Sequence, residues 1–505
     1  MKTRTMIATG ITTLIILVLA VLFYIPQAPY SEYKTEDNRY IAKQLLIKIR
    51  NNDYAHVEGY LDYLNKDKII TPYGITKLEV IYRFLSEAKT EDQFETIDKW
   101  CKSTSHYSSY IVRGKMLYHK AYNIRGTGWS SSVSDNQRYN MRKLMLLAQE
   151  DFEKAYTINP NDPNSAASMV IICNPLGCEE PVMEKWFQRA IKADPIAISS
   201  YYNKLYYLMP KWHGTAEKFY KFAIDCYKNS PEGSRVYSVM WLYLYELGNR
   251  SGDFAKFYEQ EPVKNAFEEL LNRLYKDYPD SFYPRKLKAE LNKKIGNYEK
   301  ALELYGEAIE IYPNSSDLLY ERGRIYYTRK RYDDAEKDFL KATEIDPLKH
   351  DAIYMLGLLS LHYPNKTKDA IKYLDKALTL SDELPYRRAR ANAAYRMRDK
   401  EKCIEDYTNV IERDGGNYNA HYQRGKCYQF KAEYDSALND LSKALSFSPN
   451  NSFALTSRAS VFSKLGQFEN AIKDYETLIK SEPSNKGYKT NLSVLREKMR
   501  GHSNN

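Results

Sequence analysis

The sequence predicts an all-α protein, a stack of helical hairpins behind one N-terminal membrane-spanning helix. Three observations lead there. A pattern of small, large apolar and proline positions recurs at about 34 residues in the C-terminal part of the 505-residue chain. Gly and Pro number only 21 and 19, with no tract rich in either, which disfavours a turn-rich β fold. Twenty consecutive residues, Met6 to Ile25, carry no charge.

Residues 1–5 are a tip bearing Lys2 and Arg4, and residues 6–25 follow as the apolar run. At 1.5 Å per residue this run spans about 30 Å, the hydrocarbon thickness of a bilayer. An uncleaved signal anchor is expected over a cleaved leader, because Pro26 and Pro29 flank the best candidate cut, after Ala28. With Lys2 and Arg4 held inside, the sequence predicts a single-pass protein of the cytoplasmic membrane, its bulk on the periplasmic or extracellular side. A linker, 26–40, leads out of the membrane.

Residues 41–281 read as degenerate helical repeat. The series Ala148, Phe152, Ala155, Pro160 is followed by Met183, Phe187, Ala190, Pro195 and by Phe219, Ala223, Cys226, Pro231. A fourth, Phe267, Leu271, Leu274 and Pro279, comes after an insertion near Asn249 to Pro262. Spacings of four and three put the apolar members on one helical face. The segments Arg125-Gly-Thr-Gly-Trp129 and Pro210-Lys-Trp-His-Gly-Thr215 resemble an uncharacterised bacterial helical-repeat family with R-G-x-G-W and P-x-W-x-G-[ST] motifs. That resemblance implies no activity. Arg125, Trp129 and Trp212 form a secondary candidate site of polar and aromatic character, against the plainer reading that the tryptophans plug helix junctions.

Residues 282–485 hold six units in close register. Small residues at Ala301, Ala335, Ala370, Cys403, Ala437 and Ala471 are each followed four residues on by Tyr305, Phe339, Leu374, Tyr407, Leu441 and Tyr475. Proline ends the unit at Pro313, Pro347, Pro449 and Pro483, since it cannot continue a helix. The first half of each unit carries its own small residue, Ala289, Gly323, Gly357, Ala391, Gly425 and Ala459, where two helices must approach. This order and period resemble the tetratricopeptide repeat. The resemblance implies helical hairpins stacked in a right-handed superhelix whose first helices line a concave groove. Projecting the family's inward positions onto this chain gives Tyr320, Arg324, Tyr327, Tyr354, Arg388, Asn392, Tyr395, Tyr422 and Lys426 as the partner-binding groove. Arg388 and Asn392 match in kind the family's carboxylate-holding pair, while Phe453 and Ser457 stand where later cations are usual. Residues 486–505 are read as a capping helix and a disordered tail.

The net charge of +10 is interspersed along helix faces, with no basic run, so nucleic acid is not an expected partner. Six cysteines are too few for a disulfide scaffold. Cys173 and Cys178 lack a second pair for zinc and read as two thiols or a loop disulfide. No phosphate-binding glycine loop, nucleophile elbow or His-Glu-x-x-His occurs, and the eight histidines are scattered, so neither catalysis nor a metal or other cofactor is expected. The sequence therefore predicts a non-catalytic, membrane-tethered scaffold that binds an extended peptide or helix of a protein partner and assembles a cell-envelope complex. The rival is a binding module for an anionic or carbohydrate polymer, with an enzyme in the N-terminal half a distant third.

Overall fold

The computed structural model describes residues 35–71, 74–87, 91–125, 133, 135–414 and 418–502. Its helices divide into two compact units, residues 35–348 and residues 349–502. The only β pairing among the described residues is one isolated bridge, Ile70 to Thr76, and all regular structure is otherwise helical.

The first unit begins with α1 (Thr35–Arg50), α2 (Tyr54–Asp67), α3 (Lys77–Ser86) and α4 (Glu91–Thr104). There follow α5 (Tyr107–Arg125), α6 (Asp135–Ile158), α7 (Pro163–Leu176), α8 (Glu180–Ala193), α9 (Ile198–Tyr207) and α10 (Ala216–Lys228). Next come α11 (Val239–Arg250), the five-residue α12 (Phe254–Tyr258) and α13 (Glu261–Asp277). The unit ends with α14 (Phe282–Lys294), α15 (Tyr298–Ile311), α16 (Ser316–Thr328) and α17 (Tyr332–Ile345). The expected insertion near Asn249 to Pro262 is thus occupied by α12. The degenerate positions face inward as their spacing requires: Phe152, Phe187, Phe219 and Phe267 are all buried.

The second unit holds α18 (His350–Ser360), α19 (Thr367–Leu380), α20 (Leu384–Arg396), α21 (Lys400–Asp414), α22 (Tyr418–Lys431) and α23 (Tyr434–Phe447). It closes with α24 (Ser452–Lys464), α25 (Phe468–Ser481) and α26 (Lys486–His502). In each hairpin the small residue of the first helix meets the large residue of the second. A methyl group added at Gly323 would lie 2.7 Å from the Phe339 ring, and at Gly357 and Gly425 it would lie 2.8 and 3.0 Å from Leu374 and Leu441. Ala289, Ala391 and Ala459 are fully buried at the same position.

A buried ion pair that the repeat pattern did not disclose accompanies this contact. The residue just before the small one is Arg in four hairpins, and the residue just before the large one is Asp. Each such Arg grips its Asp through Nε and Nη2: Arg322 with Asp338, Arg390 with Asp406, Arg424 with Asp440, and Arg458 with Asp474. The Nη1 edge of the later three turns to the preceding hairpin, where it donates to Asp375, Thr408 and Ser442. One guanidinium therefore ties its own hairpin together and fastens it to the one before. The same arrangement recurs in α5 and α6, where Arg113, beside Gly114, grips Asp151, beside Phe152. Partners there are 38 residues apart and in the array 16, so α5 and α6 are the same hairpin with a longer connection.

A second ionic tie joins α14 to α16. Lys293 Nζ donates to Glu321 Oε2 at 2.6 Å, and Arg324 donates to Oε1 at 3.3 Å. Burial alone would push this carboxyl up, but the charges of Lys293 and Arg324 outweigh it and hold the pKa at about 2. A depressed acid stabilises the fold above its unfolded pKa, about 4.3, and that contribution is lost as pH falls towards the folded value. Glu321→Gln should lower stability near pH 6 by roughly 1–3 kcal/mol and by almost nothing at pH 2. Urea midpoints of both proteins across that range check this, and a pH-independent difference would refute it.

Among the described residues no helix is long and apolar enough to cross a membrane. That finding corrects the expected single-pass placement in the cytoplasmic membrane. The physical reason is that these helices bury one face and carry charge on the other. Even the 24-residue α6 includes Arg138, Arg142, Lys143, Glu150 and Asp151. Met6 to Ile25, the stretch expected to span, lies outside the described residues.

Cys173 and Cys178 are free thiols. The turn that ends α7 brings them together, because Cys178 N–H donates to the Cys173 carbonyl at 2.9 Å with Gly177 in the left-handed region between them. The disulfide lies elsewhere, between Cys403 of α21 and Cys427 of α22, with Cα atoms 6.1 Å apart.

Candidate functional site

The projected groove residues fall into both compact units. In the first, Tyr320, Arg324 and Tyr327 sit on α16. The Tyr320 ring lies 6.1 Å from that of Phe339, and the Arg324 guanidinium lies 5.6 Å over Tyr320. Tyr327 packs on Tyr332 at 5.8 Å. These contacts lie within one hairpin.

In the second unit Tyr354 of α18 stacks on Tyr386 of α20, centroids 4.3 Å apart. The Tyr386 hydroxyl in turn donates to Asp351 Oδ1 at 2.8 Å and lies 2.8 Å from His350 Nδ1. Tyr354, half-buried, thus packs against the next hairpin.

The remaining five residues form one patch across α20 and α22. Arg388 and Asn392 stand one turn apart on α20, Arg388 half-buried and Asn392 exposed. Asn392 Oδ1 accepts from the hydroxyl of Tyr407 at 3.0 Å, which fixes the amide and points its nitrogen away from that bond. Tyr407 is the large residue of its hairpin and is buried. Lys426 of α22 sits over two rings, Tyr395 from the preceding hairpin at 4.6 Å and Tyr422 from its own helix at 5.5 Å. Both rings are held from behind: Tyr395 lies against Phe430 at 5.9 Å, and Tyr422 stacks on Tyr418 at 5.6 Å. Burial lowers the Lys426 pKa, and no carboxylate among the described residues pairs with the ammonium. Two faces of the cation are therefore covered by aromatic quadrupoles, and among the described residues no carboxylate neutralises it. Such a group gains by receiving an anion. Phe430, which braces Tyr395, was not anticipated from the sequence.

Of the secondary candidates, Trp212 packs beside Tyr206 in the first unit, Arg125 ends α5, and Trp129 lies outside the described residues. Trp212 projects from the turn between α9 and α10, its ring 5.8 Å from that of Tyr206. Gly214 makes this turn possible, since a methyl group there would fall 1.9 Å from the Leu208 carbonyl oxygen. His213 pins the turn, stacking on Tyr207 at 4.6 Å with Nε2 3.1 Å from the Asn174 carbonyl. Among the described residues no cluster of His, Cys, Asp and Glu has the make-up of a metal site.

Comparison with known proteins finds relatives that match part of the chain. The chain is 30% identical over 115 residues to mouse serine/threonine-protein phosphatase 5, covering 23% of this chain and 22% of that protein. It is 25% identical over 214 residues to Hsp70-Hsp90 organizing protein 3 of Arabidopsis thaliana, covering 40% and 36%. The chain thus spans well under half the length of either. Among solved structures, YrrB, described as a TPR protein with an unusual peptide-binding site, is 24% identical with a TM-score of 0.35, covering 37% of this chain and 97% of that one. A tetratricopeptide repeat profile matches residues 287–350, and a second matches 418–451 and 454–485. The helical hairpins in those stretches are tetratricopeptide repeats, set in an all-α array that extends beyond them.

Proposed function

We propose that the chain is a non-catalytic protein–protein interaction scaffold and that the α20–α22 face is where it takes an extended peptide or a helix of its partner. The observation that supports this most directly is Lys426, an uncompensated cation between Tyr395 and Tyr422. An acidic side chain of the partner supplies the missing counter-charge, its neighbours lie on the two tyrosine rings, and Asn392 and Arg388 bond its backbone or a second carboxylate. The relatives support a scaffold in the same sense, since one of them is named for organising Hsp70 and Hsp90.

Crosslinking of the native protein followed by identification of what is captured names the partner, and variants then test the face. Arg388→Ala with Lys426→Ala should weaken capture by roughly 1–3 kcal/mol, because a few interface residues carry most of the binding energy. Lys337→Ala, an exposed change on the other helix of its hairpin, should leave capture intact. Circular dichroism controls for folding. Equal capture by both variants would place the partner elsewhere on the molecule.

A further inference from the structure

The turn that ends α7 holds two thiols against each other. Cys178 N–H donates to the Cys173 carbonyl at 2.9 Å and Gly177 N–H to the same oxygen at 3.0 Å, with Gly177 at φ +75°. This closure of a helix C-terminus brings the side chains of its first and last residues into contact, a place ordinarily filled by two apolar groups. Here both are sulfur, and the thiols hydrogen-bond each other. The two differ in setting. Cys173 is fully buried, whereas Cys178 is half-buried between exposed Gly177 and Glu179. The Cys173 S–H donates to the Cys178 sulfur, which lowers the Cys178 pKa and raises that of Cys173. Cys178 also stands two residues ahead of α8, whose N-terminal dipole favours a thiolate. Elsewhere burial pushes the Cys101 and Cys226 thiols up to about 12, so they stay protonated.

We propose that Cys173 and Cys178 are a reversible redox couple, with Cys178 the attacking thiol, Cys173 the resolving thiol and a small disulfide such as oxidised glutathione the oxidant. The Cys178 thiolate, its proton lost to water, attacks one sulfur of the oxidant. A mixed disulfide forms and one glutathione thiolate leaves. Cys173 then gives up its proton and attacks the Cys178 sulfur, which forms the Cys173–Cys178 bond and expels the second glutathione thiolate. The two released thiolates take up the two protons. The couple has lost two electrons, and the glutathione disulfide has gained them. The bond would close at a joint between helices. The Cys178 carbonyl accepts from the Tyr207 hydroxyl at 2.7 Å, Tyr207 stacks on His213, and His213 Nε2 lies 3.1 Å from the Asn174 carbonyl. The couple therefore sits where the end of α7 is tied to the end of α9, and it stands or falls independently of the α20–α22 face.

The full chain, equilibrated near neutral pH over a series of reduced-to-oxidised glutathione ratios and then denatured in excess N-ethylmaleimide, tests this by mass spectrometry. Residues 155–185 form one tryptic peptide that holds only these two cysteines. As the buffer becomes more oxidising, that peptide should lose both maleimide labels together and its mass should fall by two hydrogens. Dithiothreitol should restore both labels, and Cys101 and Cys226 should keep theirs throughout. In the native reduced chain Cys178 should be alkylated at least tenfold faster than Cys101 or Cys226. Cys173→Ala should trap Cys178 as a mixed disulfide with glutathione, and Cys178→Ser should leave Cys173 unmodified, with helicity checked by circular dichroism. If the first variant fails to fold, the second decides. Full labelling of the peptide at every ratio overturns the proposal, as does a mixed disulfide that accumulates on the unaltered chain in place of the internal bond. A glutathione adduct at Cys173 in Cys178→Ser would overturn the assignment of attacking and resolving thiols.

Discussion

Replacing Asp406 by Ala should destabilise the second compact unit by about 3 kcal/mol, among the larger effects expected of any single exchange in the chain. Asp406 has no exposed surface and serves two guanidinium groups: Arg390 bonds it through Nε at 2.8 Å and Nη2 at 2.7 Å, and Arg387 through Nη1 at 3.2 Å. Truncation takes one of two carboxylates from each arginine and leaves the donors that faced Asp406 unsatisfied, which costs more than the intact pair contributes. Each arginine keeps one other carboxylate, Asp375 for Arg390 and Asp382 for Arg387, which keeps the figure from rising further. Asp406→Asn retains the shape and one acceptor and should cost less. Because a repeat array is held by nearest-neighbour contacts, the damage should appear first as faster hydrogen exchange in α20, α21 and the flanking helices. The urea midpoint measures the total. A loss below about 0.5 kcal/mol would mean that the arginines swing out to solvent, and that the repeated Arg–Asp pair does not fasten one hairpin to the next.

That pair is instructive about what the sequence discloses. The hairpins themselves are legible because their signal is steric: a small residue, a large one four or more positions into the next helix, and a proline stop recur at nearly constant spacing. The Arg–Asp pair is equally periodic, standing one residue ahead of the steric positions. Where the arginine is replaced, by Lys288 and Leu356, the aspartate is replaced too, by Leu304 and Tyr373. It escapes notice because Arg and Asp are abundant on exposed helix faces, and only burial separates Asp406 or Asp440 from the rest. The candidate surface shows the same division. Helical projection places Arg388, Asn392, Tyr395, Tyr422 and Lys426 together, but it cannot tell that Tyr354 would turn to stack on Tyr386. The contact of Lys211 with Glu246 at 3.4 Å has no periodic trace at all, since it depends on how the turn after α9 meets α11. The Cys403–Cys427 pairing is hidden similarly, because Cys403 reads as the small residue of its helix.

The steric pair at Gly323 and Phe339 gives the second large expectation, and its sign depends on background. Phe339 is fully buried, so Phe339→Ala should cost about 3–5 kcal/mol through lost burial and the cavity left behind. Gly323→Ala alone should also destabilise, by roughly 1–3 kcal/mol, because the new methyl carbon would stand 2.7 Å from the Phe339 ring and 3.2 Å from the Asp338 Cβ. Neither neighbour yields easily: the Phe339 ring is enclosed on every side, and Asp338 is held by Arg322 at 2.7 Å. In the Phe339→Ala background the ring is gone, and the same Gly323→Ala change should turn neutral or stabilising, since Ala is favoured over Gly in a helix interior by about 1 kcal/mol. The four urea midpoints of this cycle isolate the coupling. Non-additivity of at least about 1 kcal/mol is expected if a glycine is required at residue 323 by the aromatic ring opposite. An equal cost of Gly323→Ala in both backgrounds would mean that the backbone, and not Phe339, sets the approach of α16 to α17, and the register of the hairpin would then rest on the Arg322–Asp338 pair alone.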